Sequence, residues 1–254
     1  MPVVARFNIT PVKSTALQHP DEIVVTQGGI EGDHRFLFLE ADGSRPSTAA
    51  KAPLLSIRAA YDAATELLSL RFPDGTSVES QVPGGGRSVR VELFDRSVVG
   101  GIVRGRISEV VSERLGRKIR LVRVDDPEYA GGRHRLSLVS LASVADLGRR
   151  CALLDGELDP RRFRMTVELD GCEPYEEDSW SGRLVRLGRA VVRIGDGVAR
   201  CALTTMHPVT GEKDFDTLRL LAEYRKRGTE LLFGVYADVV EPGGIRVGDA
   251  VEPL

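Results

Sequence analysis

The chain has 254 residues, 42% of them hydrophobic, with 35 basic and 37 acidic side chains giving a formal net charge of −2. That length can bury a full core, as one large domain or two small ones. The near-neutral balance excludes the global basic field of a nucleic-acid binder, the three cysteines exclude a disulfide framework and a four-cysteine iron–sulfur cluster, and no apolar run is long enough for a membrane-spanning helix.

Short strands dominate the reading in chain order. The opening "MPVVARFNIT" shows no charged lead, apolar h-region or cleavage site, so a cytoplasmic location with no membrane contact is expected. "VVARFNI" (3–9), "RFLFLEA" (35–41) and "LLSIRAAY" (54–61) read as strands separated by Gly, Pro and Asp. "LLSLRFPDGTSVES" (67–80) reads as a hairpin, with Leu68, Leu70 and Phe72 alternating with polar residues and Pro73-Asp74-Gly75 at the turn. "VPGGGRSV" (82–89) reads as an internal linker, after which "RSVRVEL" resumes alternation. Two segments read as helix. "SLASVADLGRR" (140–150) starts on a serine, and "DTLRLLAEYRKRG" (216–228) has Asp216 as N-cap, Phe215 to staple onto Leu220, and Gly228 to close it. The tail returns to strand, with turns at Pro242-Gly243-Gly244 and Gly248-Asp249. This pattern predicts a mostly-β, α+β fold of barrel-like architecture.

Several chemical motifs fail on context. "GGGRS" (84–88) lacks the GK[ST] of a phosphate loop and leads into a strand. "GGIVRG" (100–105) resembles a dinucleotide fingerprint only loosely, with no strand expected before it and no helix after it. The four histidines form no HExxH pair and no two cysteines stand at CxxC spacing, which argues against a zinc site. Five of the basic residues are lysine and the rest arginine, a bias that codon usage explains more readily than two-pronged anion binding does.

Cys201 stands out. It follows the alternating "RAVVRIG" and precedes Thr204, Thr205 and a Pro-x-x-Gly turn, so it sits where a strand becomes a loop. A thiol there can be buried filler, a metal ligand, or a nucleophile with His207 as base and Asp214 as orienter.

The stretches "TPVKS" (10–14), "GDHRF" (32–36), "RFRMTV" (162–167), "DGCEPYEEDSW" (170–180), "RCALTTMHPVTGE" (200–212), "LRLLAEYR" (218–225), "FGVY" (233–236) and "PGGIRVGDAV" (242–251) occur in this order. Together they resemble the MOSC family, the molybdenum-cofactor sulfurase C-terminal domain, and in particular its amidoxime-reducing members. The resemblance implies an N-terminal β-barrel-like domain over 1–100 and a MOSC barrel over 101–254, with a molybdopterin-type cofactor between them. It further implies that Cys201 is the metal ligand and the catalytic residue, since a soft thiolate suits molybdenum. Lys13, Ser14, Arg35, Ser140, Arg164, Thr166 and Tyr236 match cofactor-contacting positions. Cys172 and Cys151 are expected to pack, and Asp178 and Trp180 to fix a loop.

The implied activity is reduction of N-hydroxylated small molecules by oxygen-atom abstraction at molybdenum. A separate electron-donor protein (a ferredoxin, flavin reductase or haem protein) is then needed, because the chain carries no cluster, flavin or haem motif of its own. The alternatives are a sulfur-transfer protein carrying a persulfide on Cys201, or a cofactor carrier without turnover. The chain departs from the amidoxime-reducing pattern at Met165, Thr166 and Ala199, where Pro, Asn and Ser are usual.

Overall fold

The computed structural model describes residues 1–93, 96–124, 135–150 and 158–254. Its largest sheet has eight strands. In spatial order the path runs Val3–Phe7, Val167–Asp170, Leu136–Ser140, Glu230–Glu241, Ala190–Ala199, Leu184–Leu187 and Val251–Pro253, with Lys226–Arg227 paired to Glu230–Glu241 off the path. The pairings are antiparallel except between Leu136–Ser140 and Val167–Asp170. The first and last strands of the path meet through a bridge between Val3 and Ala250, and Val251 N donates to Pro2 O at 2.9 Å. The sheet therefore curls into a nearly closed barrel, which removes most of its exposed edge.

The rest of the strands form smaller sheets. Phe36–Glu40, Ile119–Arg123, Arg96–Val103 and Arg87–Leu93 make one. Arg58–Asp62, Leu67–Arg71 and Ser77–Gln81 make another, and Gly243–Arg246 pairs with Glu22–Thr26, which pairs with Gly29–Ile30. The barrel core holds Val4, Phe7, Ile23, Val25 and Ile30 beside Trp180, Val192 and Val235, so residues from the start of the chain are built into it. A second core gathers Phe36, Leu54, Leu68, Leu70 and Phe72 with Ile107 and Leu121. A third lies under the helices Leu141–Arg150 and Thr217–Tyr224 and includes Phe163, Met165 and Phe233. The fold is strand-rich with few helices, a mostly-β α+β architecture. No helix among the described residues is long and apolar enough to cross a membrane.

The hairpin forms as its alternation dictates. Leu68 and Leu70 are fully buried, and Asp74 Oδ1 accepts from Thr76 N at 3.0 Å across a turn closed by Gly75 at φ +83. Other segments differ from the sequence reading. Residues Ala52–Ser56 form a 3-10 turn, so the strand expected from 54 begins at Arg58. Pro53 removes a donor there and pre-sets a helical φ. The expected linker at 82–89 is short, because Arg87 already opens a strand of seven residues. The helix expected to reach Gly228 stops at Tyr224. Lys226–Arg227 instead adds to the strand Glu230–Glu241, and Gly228, at φ +60, turns the hairpin. Strand pairing overrides the helical propensity of those basic residues. Gly243 and Gly244 lie in a strand instead of a turn, and a Cβ on Gly243 would meet the Arg189 carbonyl at 2.6 Å. "GGIVRG" does have a strand before it and a helix after it, Arg106–Leu115. Its first two glycines are inside the strand, however, so they cannot form a phosphate-binding turn.

Candidate functional site

Cys201 is exposed and lies two residues past the end of the strand Ala190–Ala199. Its backbone is extended and starts the 3-10 turn Ala202–Thr205. The hydroxyl-rich sequence braces that turn. Thr204 N and Oγ1 both donate to Cys201 O, at 3.1 and 3.0 Å, and Thr205 Oγ1 donates to Ala202 O at 2.7 Å. Thr204 Oγ1 also meets Thr217 Oγ1 at 2.7 Å, which ties the turn to the helix behind it. The threonines hold the cysteine backbone and leave its sulfur accessible.

The nucleophile triad does not assemble. His207 Nδ1 accepts from Val209 N and Thr210 N, at 3.3 and 3.2 Å. Asp214 is held in a fork by Arg162, with Nη1 and Nη2 at 3.2 and 3.0 Å, instead of orienting His207.

Around the thiol the structure collects positive charge. Arg200 donates from Nη2 to Phe163 O and from Nη1 to Met165 Sδ at 3.2 Å, while its Nε is buried without a hydrogen-bond partner among the described residues. Burial pushes the Arg200 guanidinium down to about 10, against the charges of Cys201 and Tyr236. Arg164 sits in the left-handed region at φ 51 as the cap of the turn Pro160–Phe163. Its Nη2 donates to Thr15 O at 2.7 Å and its Nη1 is buried without a partner. Burial lowers it to about 10 as well, with Asp33 opposing. Burial takes Lys13 down to about 8. Asp33 works against that fall, while the charges of Arg164, Lys51 and Arg45 deepen it. Lys51 is also lowered by burial and by Arg45, and it feels the opposing charge of Cys201. Lys13, Ser14, Arg45 and Lys51 line one small cavity. Lys13 thus feels Arg45, Lys51 and Arg164, with Asp33 opposing at Lys13 and Arg164, and the charge of Cys201 acts on both Lys51 and Arg200.

The remaining sequence-predicted residues divide. Ser14 is buried at φ 73, beside Lys13, whose N–H donates to Phe36 O at 2.8 Å. Arg35 is partly buried just before the strand Phe36–Glu40, and its carbonyl accepts from Val124 N at 3.0 Å. Thr166 is locked to Ser137: Thr166 Oγ1 accepts from Ser137 N at 2.7 Å, and Thr166 N donates to Ser137 Oγ at 3.1 Å. Tyr236 stands opposite Ser137 in strand register and, after Cys201, is the second group whose charge acts on Arg200. Ser140 is fully buried. Its Oγ accepts from Ala142 N at 3.1 Å, capping the helix Leu141–Arg150, and its N–H donates to Glu177 Oε1 at 3.2 Å. Cys172 packs against the barrel core, where burial pushes its thiol up to about 12. Trp180 is buried in the same core and Asp178 pairs with Arg225 at 2.7 Å. Cys151 lies outside the described residues.

Arg45, Lys51 and Arg200 are missing from the sequence reading. Arg200 immediately precedes the cysteine, and Lys51 is one of five lysines, so both left a trace; neither trace identified a partner. Among the described residues, no three His, Cys, Asp or Glu side chains gather as a metal cage.

The family model for the MOSC domain matches residues 125–252. The protein named molybdenum cofactor sulfurase from Oryza sativa subsp. japonica is 28% identical over 269 residues, covering 92% of this chain and 32% of its own length. Mitochondrial amidoxime-reducing component 1 from Homo sapiens is 34% identical over 123 residues, covering 45% of this chain and 35% of that protein. Its namesake from Xenopus laevis is 27% identical over 285 residues, covering 98% of this chain and 81% of the relative. The chain spans about a third of the length of the first two. With half of its residues matched by the family model, and with the barrel-like sheet described above, this chain belongs to the MOSC domain family.

Proposed function

We propose that this chain holds a molybdenum cofactor, with Cys201 as the protein ligand to the metal, and reduces N-hydroxylated small molecules. The observation that carries this reading is the pairing of an exposed thiol with two buried guanidinium nitrogens that lack acceptors among the described residues, Arg164 Nη1 and Arg200 Nε. A buried unpaired donor is costly, and a phosphorylated, oxygen-rich pterin supplies acceptors for such groups. A single soft sulfur donor also suits a metal that arrives already held by another sulfur ligand. The residues present fit the group.

When bound, the cofactor supplies two-electron redox chemistry at molybdenum. The chain's own residues bind and orient it. Lys13, Ser14, Arg35 and Arg164 would take its anionic part, and Thr166, Ser140 and Tyr236 complete the set matched by resemblance. Arg200 and Lys51 offset the negative charge that a thiolate and a phosphate bring together. The two-part division at residues 100 and 101 belongs to this proposal, with Lys13, Ser14, Arg35 and Lys51 from the first part and Arg164, Cys201 and Tyr236 from the second. Electrons come from a separate donor protein, a ferredoxin, flavin reductase or haem protein, and the proposed location is the cytoplasm.

A second reading, sulfur transfer through a persulfide on Cys201, is supported by the exposure of that thiol and by the 92% of the chain aligned with the rice protein. One experiment separates the two. Protein made in a cofactor-producing host is assayed for molybdenum, pterin and oxidation of a reduced viologen by a hydroxylamine. A reductase gives equimolar metal and pterin with turnover. A sulfur carrier gives cyanide-labile sulfur on Cys201 and no turnover.

A further inference from the structure

A cavity of about 670 Å³ contains none of the residues assigned to the cofactor. Its floor is apolar and includes Leu55, Phe72 and Pro208. Its polar lining includes His19, Arg58, Arg71 and Arg161, and no carboxylate residue lines it. Arg161 is already neutralised, because Asp159 grips it from Nε and Nη2 at 3.0 and 2.6 Å. His19 Nδ1 is engaged with Phe7 O at 3.0 Å.

Arg58 and Arg71 are different. They stand directly opposite each other in the antiparallel pair of Arg58–Asp62 with Leu67–Arg71. Like charges at directly opposite strand positions are destabilising. Among the described residues neither guanidinium has an ion pair or a hydrogen bond. The neighbouring acidic group on the following turn, Asp74, is spent on Arg114 at 2.9 Å. Two exposed like charges therefore stand side by side at the cleft, whose lining holds no carboxylate, while Glu79 lies one pair further along the same face.

We infer that this cleft binds an organic oxyanion, a phosphate monoester or carboxylate on an apolar ring or chain, with its charged group between Arg58 and Arg71 and its body on Leu55, Phe72 and Pro208. The volume lies in the range of small-molecule sites, and the arrangement of an apolar floor with a few convergent polar groups is typical of them. Guanidinium forks suit either oxyanion, and each charge-assisted contact fixes orientation. The inference does not depend on the cofactor, since no residue is shared between the two sets.

The test is calorimetric titration of the purified full chain with phenyl phosphate, benzoate and, as a neutral control, benzyl alcohol. Saturable binding of phenyl phosphate or benzoate, with none of benzyl alcohol, is expected, and the tighter of the two identifies the oxyanion. Arg58→Ser and Arg71→Ser should each weaken it at least tenfold, whereas Arg120→Ser, an exposed charge on another sheet, should leave it unchanged. A thermal melt supplies the second readout. Relief of the like-charge pair should leave unliganded Arg71→Ser as stable as wild type or more so. No binding of either anion would overturn the inference. So would equal weakening by all three variants, or binding that survives both Arg58→Ser and Arg71→Ser.

Discussion

Replacing Arg164 by methionine separates an anion clamp from a structural arginine. A guanidinium that burial lowers to about 10 carries roughly 3 kcal/mol of unfavourable free energy in its charged form at neutral pH. Against that stands its hydrogen bond to Thr15 O at 2.7 Å, worth about 1.5–3 kcal/mol for a charged donor. The two nearly cancel, so Arg164→Met should change the urea stability of the cofactor-free chain by no more than about 1 kcal/mol. With cofactor present the balance shifts, because Nη1 gains an acceptor and the positive charge meets a negative one. Losing that contact should cost about 1.5–3 kcal/mol of binding, or roughly ten- to a hundredfold in affinity. Arg164→Lys should recover only part of this, since an ammonium cannot bridge Thr15 O and a second acceptor as a planar fork does. Pterin retained after gel filtration is the measurement for the loaded protein, and a urea melt is the measurement for the empty one. A large loss of stability with unchanged pterin retention would refute the clamp and leave Arg164 as a structural tie between the Thr15 loop and the Pro160–Phe163 turn.

Cys201→Ser should fold normally, because the cysteine contributes a carbonyl and not its sulfur to the turn; its metal content and turnover should be lost, as read by elemental analysis beside a melt. The lowered pKa of Lys13 means that the folded state favours the neutral amine. The sign is then fixed: its penalty is complete below pH 8, and stability rises as the pH climbs from about 8 toward 10.5. Urea melts at pH 7.5 and 9.5 should show that rise in wild type and a smaller one in Lys13→Gln. Glu177 is buried, accepting from Ser140 N at 3.2 Å and from Ser143 Oγ at 2.9 Å, so Glu177→Ala strands two donors and should cost about 2–4 kcal/mol by urea melt.

The parts of the fold legible in the sequence were those governed by local rules. Period-two alternation around Leu68 and Leu70, turn chemistry at Asp74 and Gly75, and the caps at Ser140 and Asp216 all appear where one-dimensional patterns place them. What failed was decided at long range. Nothing local shows that Lys226 and Arg227 will leave a good helix to pair with Leu231 and Glu230. Nor does "VVARF" show that its strand pairs with residues 167–170, far along the chain, instead of with its neighbours in sequence. The site follows the same division. Cys201 is visible because a thiol at a strand end has few roles, whereas nothing in the local sequence singles out Arg45 and Lys51, which only tertiary packing brings beside Lys13.

The departures at 165 and 199 acquire a physical meaning once Arg200 is placed. Met165 is buried and its sulfur accepts from Arg200 Nη1, while a Cβ on Gly234 would stand 2.6 Å from its terminal methyl. Met165, Gly234 and Arg200 are therefore one packed unit. The thioether holds the guanidinium, and the glycine, at φ +70, leaves room for the thioether. A proline at 165 would offer neither the sulfur nor the reach, and the arginine would need another acceptor. Ala199, on the strand end opposite Leu232, removes a hydroxyl from the same neighbourhood. At these two positions the chain lacks one hydroxyl and has instead a soft thioether acceptor that holds a guanidinium.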